Sequence, residues 1–230
     1  NTHFVDCCGL TDSDEHYTTA YDIALMSREL MLHHPDIRKY TTVWMDTLRG
    51  GASSLVNTNK LVRFYEGTTG LKTGSTNAAG YCISATAERE GMELIAVVLK
   101  SPTGQQRFED AKTLLNYGFS TYGLVHASPE EPLPPVPVQL GAQGTVQPRV
   151  DPAEGLLLAE KSRLQGLEQT VTLPESAEAP VRQGDVLGTL TVTQNGETVL
   201  EVPIRAAETV EKLTFGQMLL RLARTMCFCG

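Results

Sequence analysis

The stretch GLKTGSTNAAGYC (residues 70–82) sets a lysine, a threonine and glycines into a segment where a strand would otherwise want bulk. An extended region ends at Leu71, and after Lys72, Thr73 and Gly74 the small residues Ala78, Ala79 and Gly80 lead into two strand candidates, 81–87 and 92–99. The short turn from Glu88 to Gly91 predicts an antiparallel hairpin. The second strand, MELIAVVL, is almost continuously apolar, which suits a strand covered on both faces. The following segment, RFEDAKTLLNYGFSTYG, carries Phe108, Ala111, Leu115 and Phe119 on one helical stripe and is the natural cover.

Upstream, Thr19 can cap a helix with Asp22 three residues on, and Ile23, Met26 and Leu30 recur at helical spacing until Pro35 stops them. The stretch RGGASSLVNTNK between this helix and residue 70 reads as polar, bearing glycine and serine. Downstream, the prolines of ASPEEPLPPVPV preclude a helix or a central strand and mark a linker over 126–137. Beyond it the chain is rich in Val, Thr, Leu and Gly. Asn195 and Gly196 give a strong hairpin turn, so 138–210 reads as a small, sandwich-like all-β domain.

The last segment, 211–230, places Phe215, Met218, Leu219, Leu222, Ala223 and Met226 on one helical face, with Gln217, Arg221, Arg224 and Thr225 opposite and Lys212 just before. Two readings of this amphipathic helix stay open: one lying in a membrane interface, and one packing on its own domain.

Composition limits the partners. With 230 residues and 41% hydrophobic content the chain can fill a real core, and a formal charge of −8 argues against nucleic acid. The five cysteines (Cys7, Cys8, Cys82, Cys227, Cys229) form no CxxC pair, so no metal site and no cofactor is expected, and their odd number makes no disulfide framework. No apolar run approaches the roughly 20 residues that span a bilayer. NTHFVDCCGL reads as the middle of a folded domain, which predicts an upstream part before Asn1.

A KTG tripeptide alone is a weak motif, and a surface strand with a solvated lysine is its plain alternative. Its setting fits a ligand that ends in a carboxylate. Lys72 brings positive charge, Thr73 a hydroxyl donor, and Gly74 leaves room for a ligand to lie along the strand edge. The backbone N–H of Ser75 is then placed to stabilise a tetrahedral oxyanion.

NTHFVDCCGL, YTTAYDIALMSREL, VNTNKLV and GLKTGSTNAAGYC, in this order and spacing, resemble the second half of the transpeptidase domain of the D-alanyl-D-alanine carboxypeptidases, the low-molecular-mass penicillin-binding proteins. APVRQGDVLGTLTV and the terminal helix resemble that family's C-terminal domain and membrane anchor. The resemblance implies an α+β fold. Residues 1–125 would be part of a β-lactamase/transpeptidase-like domain, followed by the linker, the β domain and a peripheral anchor on the extracytoplasmic face of the bacterial membrane. It also implies a serine acyl-enzyme acting on peptidoglycan stem peptides that end in D-Ala-D-Ala, with β-lactams as covalent inhibitors. Carried over, Lys72 and Thr73 hold the substrate carboxylate, Gly74 gives clearance and Ser75 supplies an oxyanion-hole N–H. Asn57 and Asn59 match the stretch beside the site without an assigned role.

Departures accompany the resemblance. Cys8 stands where the family often has histidine, and Thr58 lies near a position that is arginine in some members. No serine is followed three residues later by lysine, so the nucleophile and base of an SxxK motif are expected upstream of Asn1. Ser75-Thr76-Asn77 spells SxN but follows KTG on the same strand edge, and reads as coincidence. A chain lacking the domain's first strands is expected to expose sheet edges that a partner piece or self-association covers. The alternative of another class is a non-catalytic module that binds cell wall or scaffolds proteins at the membrane. A β-lactamase would share KTG but not the linker, β domain and tail.

Overall fold

The structure, a computed structural model, describes residues 1–10 and 13–228, apart from the side chains of Arg224, Thr225, Cys227 and Phe228. Of the residues singled out above, Cys229 and the side chains of Arg224, Thr225 and Cys227 therefore lie outside the described residues. The chain forms two units, Asn1–Gly123 and Leu124–Gly230.

In the first unit, helix α1 (Ala20–His33) starts where the side chain of Thr19, in extended conformation, accepts the Asp22 N–H at 3.0 Å. It stops at His34, the residue before Pro35. The single-turn α2 (Arg38–Thr41) leads to a hairpin of β1 (Met45–Leu48) and β2 (Ser53–Val56), then to α3 (Leu61–Phe64). The sequence gives no sign of that hairpin, because nearly all its residues are exposed and no buried face imposes alternation.

The central sheet is antiparallel, in the order β3 (Thr68–Thr76), β4 (Gly80–Arg89), β5 (Met92–Ser101), so β3 and β5 are its edges among the described residues. The extended segment does not end at Leu71. It continues through the lysine to Thr76, since every residue from Leu71 to Thr76 has a partner on β4. The turn between β4 and β5 is two residues, Glu90 and Gly91, both at positive φ (51° and 76°), as a twisted hairpin requires.

Register decides what each face meets. Lys72, Ser84 and Val97 form one row across the three strands, and Ser84 touches Ser27 of α1. Leu94, of opposite parity, lies against helix α4 (Gln106–Thr121), so close that a Cβ on Gly118 would come within 2.5 Å of it. The apolar β5 is thus packed by α1 and by α4. On α4 the stripe Phe108, Ala111, Leu115 and Phe119 is buried, as is Arg107. At about 1.5–3 kcal/mol for each fully buried Leu or Phe, this stripe outweighs the helix's intrinsic propensity.

β6 (Tyr122–His126) carries the chain into the second unit, which also contains the proline-bearing stretch 129–137. There follow β7 (Val136–Gln139), β8 (Thr145–Val146), β9 (Pro148–Val150), β10 (Leu156–Glu160), β11 (Leu167–Thr172), β12 (Ala177–Glu178), β13 (Val186–Gln194) and β14 (Glu197–Ala206). One sheet has the order β11-β13-β14-β9 and another β12-β7-β8. Against the expectation from its prolines, the end of the stretch 126–137 thus enters a middle strand: Val136 and Pro137 pair with β8, while β12 pairs only with Val138 and Gln139, beyond the proline. Asn195 and Gly196, at φ 51° and 82°, make the expected hairpin turn between β13 and β14. Leu190, Val192, Val202 and Ile204 from these two strands build one apolar cluster, and Val136, Val138, Val146, Val181 and Val210 lie in a second. Helix α5 (Phe215–Phe228) ends the described chain with Phe215, Leu219, Leu222 and Met226 all exposed. Among the described residues no helix is long and apolar enough to cross a membrane.

Candidate active site

A cleft of about 480 Å³ in the first unit runs along β3 beneath α1. Lys72, Thr73 and Gly74 line it from β3, Ser84 from β4, Ser27 from α1 and Cys8 from the N-terminal loop. Ser75, the fourth predicted site residue, is exposed one position further along the same edge strand. The structure therefore brings the lysine, the threonine and the glycine to one groove wall, with Ser75 at its end.

The Lys72 ammonium donates to the Thr73 carbonyl and pairs with no carboxylate among the described residues. In a chain with an excess of acidic groups, a cation held along a cleft without an acidic partner is suited to an anion from outside.

The three glycines of the opening stretch have different causes. A Cβ on Gly70 would sit 3.0 Å from Thr41, and on Gly80, at φ 63°, it would sit 2.9 Å from the Ser101 carbonyl oxygen. Both are demanded by packing or conformation. Gly74 is at no positive φ, and a Cβ there would meet nothing within 4 Å. Nothing inside the protein requires glycine at 74, and the space it leaves opens into the cleft, on the face of β3 that carries Lys72.

Thr73 is only 6% exposed, and its hydroxyl lies 2.6 Å from that of Thr58. Each hydroxyl has one proton. Whichever donates within the pair, the other keeps a proton for a further acceptor. Thr58 is held by its flanking asparagines. Asn59, 1% exposed, donates to the Gly70 carbonyl at 2.9 Å and accepts the Leu61 N–H at 3.1 Å. Asn57 accepts the Asn59 N–H at 2.9 Å and donates to the Val43 carbonyl at 3.0 Å. Asn57 and Asn59 thus brace the loop that presents Thr58 to the lysine strand.

The N-terminal loop closes the cleft from the other side. The Asp6 carboxylate accepts the N–H groups of Gly9 at 3.0 Å and Cys8 at 2.9 Å, and the Cys8 thiol at 3.2 Å. The Gly9 N–H foremost, then the Cys8 thiol, holds its pKa below the ordinary carboxylate value. Cys7, Cys8 and Cys82 are free thiols, and all three line this cleft.

Behind β3 stands a residue the sequence reading passed over. Arg107 is 9% exposed, and its Nη1 donates to the carbonyls of Gly74 at 3.1 Å and Cys82 at 3.3 Å. Its guanidinium packs over the rings of Phe108 (4.8 Å) and Tyr81 (5.6 Å). Burial lowers its pKa from the ordinary arginine value. The available signal was its spacing, four residues before Ala111 on the buried stripe, where a charge is out of place.

Among the described residues no group of three His, Cys, Asp or Glu is arranged to hold a metal ion. The sequence contains no serine followed three residues later by lysine. What the wall can do by itself is bind a carboxylate and offer N–H groups along an unpaired strand edge.

Residues 1–103 match the family described as D-alanyl-D-alanine carboxypeptidase, and residues 135–212 match that described as the penicillin-binding protein 5 C-terminal domain. The chain is 33% identical over 226 residues to the D-alanyl-D-alanine carboxypeptidase DacF of Bacillus subtilis, covering 96% of this chain and 57% of DacF. It is 30% identical over 218 residues to DacC of Escherichia coli, covering 92% and 53%. Penicillin-binding protein 3 of Streptococcus pneumoniae, described as a peptidoglycan synthesis regulatory factor, has a similar structure (TM-score 0.61, 26% identity, 88% of this chain and 60% of that one). Penicillin-binding protein 5 of Haemophilus influenzae shares the fold (TM-score 0.62, 22% identity, 88% and 59%). The chain spans little more than half the length of these relatives, and across that span it belongs to the D-alanyl-D-alanine carboxypeptidase family of low-molecular-mass penicillin-binding proteins.

Proposed function

We propose that this chain supplies the KTG wall of a serine-type D-alanyl-D-alanine carboxypeptidase, a hydrolase that removes the terminal D-alanine from peptidoglycan stem peptides. The nucleophilic serine and its lysine base come from an SxxK motif outside residues 1–230. The serine attacks the carbonyl carbon between the last two D-alanines, the amine of the terminal D-alanine leaves with a proton, and water then hydrolyses the ester. Lys72 and the Thr73 hydroxyl hold the substrate's carboxylate, Gly74 gives the peptide room beside β3, and the Ser75 N–H donates to the oxyanion. The wall peptide ending in D-Ala-D-Ala is the substrate, and β-lactams acylate the same serine.

The observation that carries this reading is the conjunction on β3 of an ammonium without an acidic partner and, two residues on, a glycine that nothing inside the fold requires. An extended peptide can add to that edge as a strand with its acidic end at Lys72.

The work is done outside the cytoplasm. The exposed apolar side of α5 lies in the membrane interface, with Lys212 preceding the helix, so the enzyme is peripheral to the extracytoplasmic face of the bacterial membrane. The free edges of the central sheet are covered by the remainder of the domain or by a second copy.

Fluorescent penicillin tests the reading. The full-length protein is expected to be labelled covalently, and residues 1–230 alone are not. Labelling of the isolated chain would show that the nucleophile lies within it, and a full-length protein that stays unlabelled would overturn the assignment.

A further inference from the structure

The strand that carries Lys72 is gripped from behind by a buried cation. Arg107 sits in the first turn of α4, nine-tenths buried, with no carboxylate partner among the described residues. Its nearest company is two carbonyl oxygens, of Gly74 and Cys82, and two aromatic rings. Its Nε, also buried, has no partner among the described residues. A buried guanidinium is expensive, and each unpaired buried N–H adds to its cost. Packing alone would be served as well by an apolar side chain of similar length. What an apolar side chain cannot do is donate to the Gly74 carbonyl.

That carbonyl shares one peptide group with the Ser75 N–H, and the group is trans. In a planar trans peptide the C=O and the N–H point in opposite directions. Gly74 lies opposite Cys82 in the β3–β4 register, and Arg107 draws on the carbonyls of both, so the Gly74 C=O is directed into the sheet. The Ser75 N–H is therefore directed out of the free edge of β3. We propose that Arg107 is a positioning residue for the oxyanion site: by holding the Gly74 carbonyl it fixes the direction of the Ser75 N–H. A charged donor on the carbonyl also polarises the peptide and makes its N–H a stronger donor to a developing negative charge. Arg107 is not among the residues that line the cleft. The inference rests on the reading of Ser75 as an oxyanion donor.

The effect belongs to the transition state and not to ground-state binding. Removing an oxyanion donor outright costs about 10²–10³ in rate. Loosening one without removing it costs less, and acylation in Arg107→Met is expected to fall by roughly 10- to 100-fold.

The test uses the full-length protein with Arg107→Met and Arg107→Lys. Pre-steady-state acylation by a fluorescent penicillin separates the dissociation constant of the reversible complex from the rate constant of acylation. Folded fractions are matched beforehand by thermal melting. We expect the rate constant to fall in Arg107→Met with the dissociation constant unchanged, and Arg107→Lys, which keeps a cationic donor, to recover part of it. Unchanged acylation rates in folded Arg107→Met, or a loss confined to the dissociation constant, would overturn the inference while leaving the carboxypeptidase reading in place. A parent protein that penicillin does not acylate at all would overturn that reading itself.

Discussion

The hydroxyl oxygens of Ser27 on α1 and Ser84 on β4 lie 2.7 Å apart, although 57 residues separate them in sequence. Ser27 also donates to the Ile23 carbonyl at 2.7 Å, and it has one proton, so Ser84 is the donor within the pair. Both side chains are buried, 5% and 7% exposed. Ser27→Ala strands the Ser84 O–H without its acceptor, whereas Ser84→Ala leaves Ser27 bonded within its own helix. Ser27→Ala is therefore expected to cost about 1–3 kcal/mol, Ser84→Ala less, and the double replacement less than the sum of the two. Urea unfolding of the three variants checks the order.

Gly74 and Gly80 separate function from fold. Gly74→Ala meets no atom within 4 Å and no positive φ, so its stability is expected to stay within about 0.5 kcal/mol of the parent. Its acylation by penicillin should fall, because the methyl group occupies the peptide's path. Gly80→Ala should do the reverse: its φ of 63° alone costs about 1–2 kcal/mol, and its Cβ crowds the Ser101 carbonyl. Thermal melting and penicillin labelling of both proteins give the comparison.

The Asp6 loop carries a pH signature. Hydrogen bonds from the Gly9 N–H and the Cys8 thiol lower the folded-state pKa of Asp6, so its stabilisation is complete above the ordinary value of 3.8 and is lost as pH falls through the lower folded value. Amide exchange at Cys8 and Gly9 is expected to gain protection as pH rises through this range, after correction for intrinsic exchange. Asp6→Ala should remove that dependence.

The exposed side of α5 should bind lipid. Vesicles containing anionic lipid are expected to retain the chain, and Leu219→Glu should release it, since that residue is 59% exposed on the apolar side. Added salt should weaken the binding in part, because Lys212 contributes an electrostatic share alongside the apolar one. Co-sedimentation measures both effects.

Much of this fold is legible where periodicity has a single cause. α1 is signalled by its Thr19 cap and Pro35, α4 by its buried stripe, and the β13–β14 hairpin by Asn195 and Gly196. The β1–β2 hairpin escapes because neither of its faces is buried. β3 extends past Leu71 because pairing with β4, a tertiary contact, overrides the poor strand propensity of glycine. Within the cleft, Lys72, Thr73 and Gly74 are named from the KTG tripeptide, its setting and the family resemblance, and the structure brings them to one wall. The contacts of Thr58 and Arg107 are not legible in the same way, because they depend on which backbone and side-chain oxygens the fold brings to them.

The central claim is that Lys72 grips a carboxylate, and one comparison tests it most directly. The full-length protein and its Lys72→Gln variant are assayed for D-alanine release from a peptide ending in D-Ala-D-Ala and for release of D-alanine amide from the same peptide with its terminal carboxyl amidated. A hydrogen-bonded charge contact of about 1.5–3 kcal/mol corresponds to a preference for the acid of roughly 10- to 150-fold. That preference is expected in the parent and should collapse toward unity in Lys72→Gln. Equal preference in the two proteins would contradict the account.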